Sequence, residues 1–372
     1  MEFTRRSLLG AALAAPAAAA LGKPRAVPSA SWRGKVMIDG LSGLYDPYSP
    51  EEEVRLSPRA VAELRATGVS ALTQTVGVVG NRPNSWDETL QSIATFDSIL
   101  AANPDVLIPV RAAADFTAAK AQGRLGVTYG LQDTSMVGVQ LDRLGELKAK
   151  GVRQVQLTYN LRNLAGDGSL EPANAGLSIL GRKTIVRIEA ERMALDLSHG
   201  GAQTQLEAIA AATRPPLISH TGCRALFDHP RNTHDAAMKL VADKGGCVGI
   251  YFMPYLAQGS HPTGEQLVAH IEHAANVCGE DHVSIGTDGG VLPLVIDDKA
   301  RAAARADWEA RSAAGVAAPG EGPDVFTVVM DYNSLDKFDR LALALGKRGW
   351  SEGRIEKLYG ANLLRVYSEV WG

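Results

Sequence analysis

Cysteine is scarce in this chain: Cys223, Cys247 and Cys278 are the three among 372 residues. So few, and an odd number, cannot build a disulfide framework, although one pair is able to form after export. Basic runs longer than a pair are also missing, and 38 Lys and Arg against 41 Asp and Glu leave a net charge of −3. That balance provides no electrostatic footprint for nucleic acid, so that class of partner is excluded. Aromatic residues make up 6%, while hydrophobic residues reach 45% and charged residues 21%. This is the composition of an ordinary globular protein, and it excludes a disordered, collagen-like or coiled-coil chain. At about 150 residues per domain the length suits two domains, or one α/β barrel with insertions.

The N-terminus reads Thr4-Arg5-Arg6-Ser7-Leu8-Leu9, followed by an Ala-rich apolar run to Leu21 with small residues at Ala18 and Ala20. The apolar run of about 14 residues falls short of the roughly 20 that a helix needs to cross a bilayer. It resembles a twin-arginine export signal, with an ordinary secretory signal as the other reading. Residues 1–26 are therefore expected to be a removable export signal and linker, and 27–372 a single barrel domain. The expected destination is periplasmic or otherwise outside the cytoplasm. The expected partners are the export machinery and a small-molecule substrate, with no membrane anchor after processing. Twin-arginine passengers cross already folded, which would allow a metal to be loaded beforehand.

From Gly34 onward, short apolar β-branched runs alternate with amphipathic stretches, the mark of parallel α/β architecture. Strands are expected near 35–41, 69–76, 105–110, 125–131, 152–158, 194–198, 216–219, 247–252 and 282–287, with helices over 85–101, 138–149, 178–192, 203–212, 233–244 and 264–277. Nine strands for the eight slots of a (β/α)8 barrel make one of them accessory. Residues 297–323 break the rhythm with an Ala/Arg/Asp-rich helix and a Gly/Pro loop. They read either as a lid insertion over a site or as a solvated excursion.

His199 follows ALDLS, His220 follows PLIS and Asp288 follows VSIGT. Each is expected at the C-terminal end of a different strand, the face where barrel active sites lie. Two imidazoles and a carboxylate with an open position match a hydrolytic zinc centre, although no His-Glu-x-x-His signature is present. Such an ion brings the pKa of its water from about 15.7 to near 7, which suits amide hydrolysis.

Longer stretches carry a resemblance. They are Gly151-Val152-Arg153 through Tyr159-Asn160, Leu195-Asp196-Leu197-Ser198-His199, Ser219-His220-Thr221, His229-Pro230-Arg231-Asn232, Ile285-Gly286-Thr287-Asp288-Gly289-Gly290 and Gly360-Ala361-Asn362. From about Gly34 to Tyr367 the chain resembles the membrane dipeptidases, also called renal dipeptidases. The resemblance implies a distorted (β/α)8 TIM-type barrel of the metallo-dependent hydrolase kind, holding zinc and hydrolysing dipeptides, often with a D-residue on the C-terminal side. It also implies that His199 and His220 bind one zinc, that Asp288 serves the other, and that Arg231 grips the substrate carboxylate. A homodimer is a further expectation of the same origin.

The chain departs from the family pattern at several positions. Where the family opens its first strand with Asp-Gly-His-Asn-Asp, this chain has Asp39-Gly40-Leu41-Ser42-Gly43, so two zinc ligands are absent. Gln132 stands at the position of the Glu that bridges both metals, and Tyr159 replaces a substrate-contacting His. A paired centre without those carboxylates lacks the charge that offsets repulsion between two cations. One zinc on His199, His220 and Asp288 is therefore expected, with Gln132 a weak ligand or none, unless Asp39, Asp46 or Asp133 moves in to rescue a second. In this reading the enzyme hydrolyses a dipeptide or dipeptide-like amide through a metal-activated water. Asp288 acts as ligand or general base, and Tyr159 is either an oxyanion donor or a pocket-lining ring. The alternatives are a lyase or isomerase with no metal at all, and a non-catalytic binding protein on the same barrel.

Overall fold

The computed structural model describes residues 30–372 apart from 51 and 81. The leader at 1–26 lies outside the described residues. Nine strands form where the β-branched runs stand: β1 (Ile38–Asp39), β2 (Ala71–Thr75), β3 (Leu107–Pro109), β4 (Leu125–Leu131), β5 (Val152–Gln156), β6 (Ala194–Asp196), β7 (Leu217–Thr221), β8 (Cys247–Ile250) and β9 (Val283–Ile285). Eight of them pair in the order β1-β2-β4-β5-β6-β7-β8-β9, and every pairing is parallel. The accessory strand is β3, which pairs with β4 alone. The ring closes just beyond β1 and β9, where Gly40 N donates to Ile285 O (2.9 Å), Gly43 N to Gly289 O (2.8 Å) and Asp288 N to Leu41 O (2.9 Å).

Most strands are shorter at their C-terminal ends than the apolar runs suggest, because those ends leave the ladder to build loops at one mouth of the barrel. β4 ends at Leu131 as expected, and β7 is longer than expected. It runs through Thr221, which places His220 inside the strand, at a register shift between Ile218 and Thr221. The helix expected from 138 begins only at Arg143, since the backbone N–H groups of Val137, Gly138 and Gln140 are committed to turn hydrogen bonds on the Thr134 and Val137 carbonyls. Helix Gly264–Cys278 opens on a reciprocal cap between Thr263 and Gln266 and buries Leu267, Val268, Ile271, Ala274, Ala275 and Cys278, a stripe at helical spacing. The three cysteines are buried and unpaired. Among the described residues, no helix is long and apolar enough to cross a membrane.

The opposite mouth is plugged. The C-terminal helix Asn362–Trp371 sets Leu363, Val366, Tyr367, Val370 and Trp371 against Ile38, Ala71, Ala194, Leu217 and Cys247, the first residues of five strands. Tyr367 and Trp371 stack at 4.4 Å, Phe116 lies against both, and Tyr367 Oη donates to Gln154 Oε1 (2.9 Å) inside the barrel. With that end sealed, only the C-terminal mouth is left open for chemistry. Trp371→Ala removes a ring from the plug and is expected to lower the unfolding free energy by about 3–5 kcal/mol. Urea denaturation followed by circular dichroism measures the loss.

Candidate active site

His199 follows β6, His220 lies in β7 and Asp288 follows β9. Across that sequence distance, the barrel brings one ligand atom of each within 4.8 Å of the other two. His199 and Asp288 both adopt a φ of +58°, the left-handed region that non-glycine residues rarely visit. Each such residue costs about 1–3 kcal/mol and persists only where its surroundings over-determine it. A close approach underlies the third position. A Cβ on Gly249 or Gly286 would meet Ser219 O at 1.9 or 2.0 Å, so only glycine allows these neighbours to lie against the shifted segment of β7 that carries His220.

The tautomers follow from the hydrogen bonds. Asn160 Oδ1 can only accept, so the 2.6 Å contact with His199 Nδ1 places the ring proton there. Asn160 is itself held through Nδ2 on Val316 O (2.7 Å). Ser219 Oγ donates to Asp196 Oδ2 (2.5 Å) and therefore accepts from His220 Nδ1 (2.8 Å). Asp196 is fixed in turn by Ser198, Ser219 N and Gln154 Nε2. Each imidazole is left with an Nε2 lone pair, and both Nε2 atoms are buried without a hydrogen-bond partner. Burial, together with the nearby Arg231 charge, holds both rings well below the ordinary histidine pKa, so they are neutral and able to ligate. Burial pushes the Asp288 carboxyl up to about 7, against the pull of Arg231 and Arg311. Two orphaned imidazole nitrogens beside a carboxylate are a donor set that fits a divalent cation, with Asn160 and Ser219 orienting the rings from behind.

The other acids stay out of this group. Asp39 accepts from Thr287 N (2.8 Å) and Oγ1 (2.6 Å), Asp46 from Tyr48, Ser49 and Ser57, and Asp133 from Gly80, Thr134, Ser135 and Asn163. Gln132 lines the cavity, but its amide nitrogen is committed to Thr75 Oγ1 (2.8 Å). Tyr159 stacks on His199 at 4.1 Å and its hydroxyl accepts from Arg311 (3.2 Å). Arg231 is 3% exposed, faces the Tyr251 ring at 5.8 Å, and has one terminal nitrogen with no partner.

These side chains open into a cavity of about 450 Å³, within the range of about 300–1,000 Å³ usual for small-molecule sites. Residues of the 297–323 segment form one wall. Its helix Asp298–Ala313 and following loop are held by Arg311 on Glu321 (2.9 Å), Tyr255 Oη on Glu321 (2.7 Å), and the 2.8 Å contact of His229 Nε2 with Pro319 O. Asn160, Asp196, Ser219, Arg311 and Glu321 went unassigned in the sequence. Asn160 was within reach of the strand-end argument, four residues past β5, whereas nothing local marks Arg311 or Glu321 as facing a site.

Asn160→Ala removes the acceptor that fixes the His199 tautomer. It is expected to weaken metal binding about 10–100-fold, measured by competition with a chromophoric chelator on a protein whose circular dichroism is unchanged.

Comparison with known proteins agrees with this geometry. The family model for membrane dipeptidase (peptidase family M19) matches residues 52–301, more than half of the chain. A dipeptidase of Clonostachys rogersoniana is 26% identical over 295 residues, covering 79% of this chain and 68% of its own length. One from Aspergillus terreus is 27% identical over 310 residues, covering 76% and 67%. Among solved structures, an amidohydrolase from Pseudomonas aeruginosa superposes with a TM-score of 0.79 at 30% identity, covering 92% of this chain and 99% of its own. A metallopeptidase from Rhodobacter sphaeroides, liganded with a phosphinate mimic of the dipeptide L-Ala-D-Ala, shares the fold with a TM-score of 0.73 at 16% identity, covering 91% and 99%. The barrel, the His199–His220–Asp288 donor set and the extent of the match together place this chain in the membrane dipeptidase family of metal-dependent hydrolases.

Proposed function

We propose that this protein is an exported hydrolase of dipeptides or dipeptide-like amides that works with a single metal ion. The observation that carries this reading is the pair of buried, unpartnered Nε2 atoms of His199 and His220 beside Asp288, next to a cavity that His199, Asp288 and Arg231 line. His199, His220 and Asp288 would hold the ion, zinc in this reading. When bound, it supplies Lewis-acid polarisation of an amide carbonyl and activation of a water. A single ion is supported by the hydrogen-bond commitments of Asp39, Asp46 and Asp133 and by the neutral amide of Gln132. The same orphaned nitrogens count against a metal-free lyase or binding protein, in which buried imidazoles would be expected to pair with other side chains.

The chain's own residues supply the rest. The free terminal nitrogen of Arg231 binds the substrate's terminal carboxylate. Tyr159 accepts from Arg311, which leaves its own proton available to the scissile carbonyl oxygen as charge develops there. A carboxylate oxygen of Asp288 takes the proton released by water and returns it to the leaving amine. The segment 297–323 acts as a lid that shields these steps from bulk water. The leader Thr4-Arg5-Arg6-Ser7-Leu8-Leu9 supports export, and folding before export lets the ion be loaded first.

Elemental mass spectrometry of the exported protein, purified without chelator, is expected to find about one zinc per chain. His199→Ala and His220→Ala are expected to lose both the metal and dipeptide hydrolysis, and full activity in either variant overturns the proposal. Gln132→Glu restores a carboxylate and is expected to raise metal uptake toward two ions per chain.

A further inference from the structure

The helix Asp298–Ala313 has an apolar face that no protein core covers. None of its residues is buried, yet Ala300, Ala303, Ala304 and Trp308 line the same cavity as His199, Asp288 and Arg231. Spacings of three and four place these residues on one side of the helix. A surface helix ordinarily spends such a stripe against the core; here the stripe fronts open space, and Phe326 and Met253 extend the apolar lining.

We propose that this wall is a side-chain subsite selecting dipeptide-like substrates with one bulky apolar or aromatic side chain. The inference rests on the hydrolase reading above and names its substrate class. Two observations select the occupant. The cavity is lined by His199 and Asp288 of the candidate metal site, and its one buried cationic atom without a hydrogen-bond partner is on Arg231. The Arg311 charge, by contrast, is already matched by Glu321. The site therefore has a place for a single carboxylate and, on the helix Asp298–Ala313, an apolar strip of Ala300, Ala303, Ala304 and Trp308 beside Asp307 and Arg311, whose charges face each other at 3.9 Å. The three alanines keep that surface recessed, leaving room for a ring where leucine or phenylalanine would fill the space. One methylene in an apolar pocket is worth about 10–200-fold in kcat/KM, so replacing a methyl by a benzyl group is expected to exceed tenfold.

The test compares L-Ala-D-Ala with L-Phe-D-Ala and L-Ala-D-Phe on the metal-loaded wild-type protein. One phenylalanine peptide is expected to be cleaved with at least tenfold higher kcat/KM than L-Ala-D-Ala. Ala303 is exposed to the cavity, so Ala303→Trp fills the subsite without entering the packed core, and it is expected to lower that ratio at least tenfold. Trp308→Ala is expected to weaken the same ratio. Equal turnover of all three peptides, or an Ala303→Trp effect identical for each, overturns the subsite while leaving the hydrolase reading intact. Calorimetric binding of the same peptides separates the two failures. Tighter binding of a phenylalanine peptide that Ala303→Trp removes, with no peptide cleaved, keeps the subsite and rejects the hydrolase; absence of both preference and cleavage rejects both.

Discussion

Two hydrogen bonds at the mouth of the barrel determine what the rest of the site can do: Asn160 on His199 Nδ1 and Ser219 on His220 Nδ1. They spend the ring protons on fixed acceptors, so both Nε2 lone pairs face the place where the Asp288 carboxylate arrives. Their supports reach deep into the fold. Asn160 is held by a carbonyl of the 297–323 segment, and Ser219 by Asp196, which Gln154 of β5 also contacts. A buried acceptor left without a partner costs about 1–3 kcal/mol. Two of them in one place, with two backbones in the left-handed region, are costs that a ligand-binding site explains and a structural core does not.

The barrel divides its labour by end. The C-terminal helix closes the bottom with stacked rings, which lets the top remain polar and open. There, one terminal nitrogen of Arg231 is buried without a hydrogen-bond partner, while Arg311 and Glu321 neutralise each other and tie the 297–323 segment down. The His199–His220–Asp288 group sits at the mouth of the barrel, and residues of the 297–323 segment form one wall of its cavity.

Much of this was legible before any coordinates. The alternation of apolar runs and amphipathic stretches located all nine strands, and the strand-end argument brought His199, His220 and Asp288 to one mouth. It missed that His220 lies inside β7, because the register shift beside Ser219 depends on Gly249 and Gly286 allowing a close backbone approach. It could not say which strand was accessory, since β3 resembles its neighbours locally and differs only in whom it pairs with. Asn160, Arg311 and Glu321 escaped for a related reason: amides and ion pairs acquire meaning only through partners brought from far along the chain.

The sequence by itself determined the parallel α/β class and the ligand types available, because periodicity and residue chemistry are local properties; that Gln132 stands in place of a carboxylate is what the family resemblance implies. Only the tertiary structure decided that Asp39, Asp46 and Asp133 are committed to other hydrogen bonds and that the Nε2 atoms are unpartnered. It alone also showed that the helix Asp298–Ala313 turns its alanines toward the cavity. The physical reason is that a hydrogen bond or a buried face is a relation between groups distant in sequence, and the barrel is what brings them within reach.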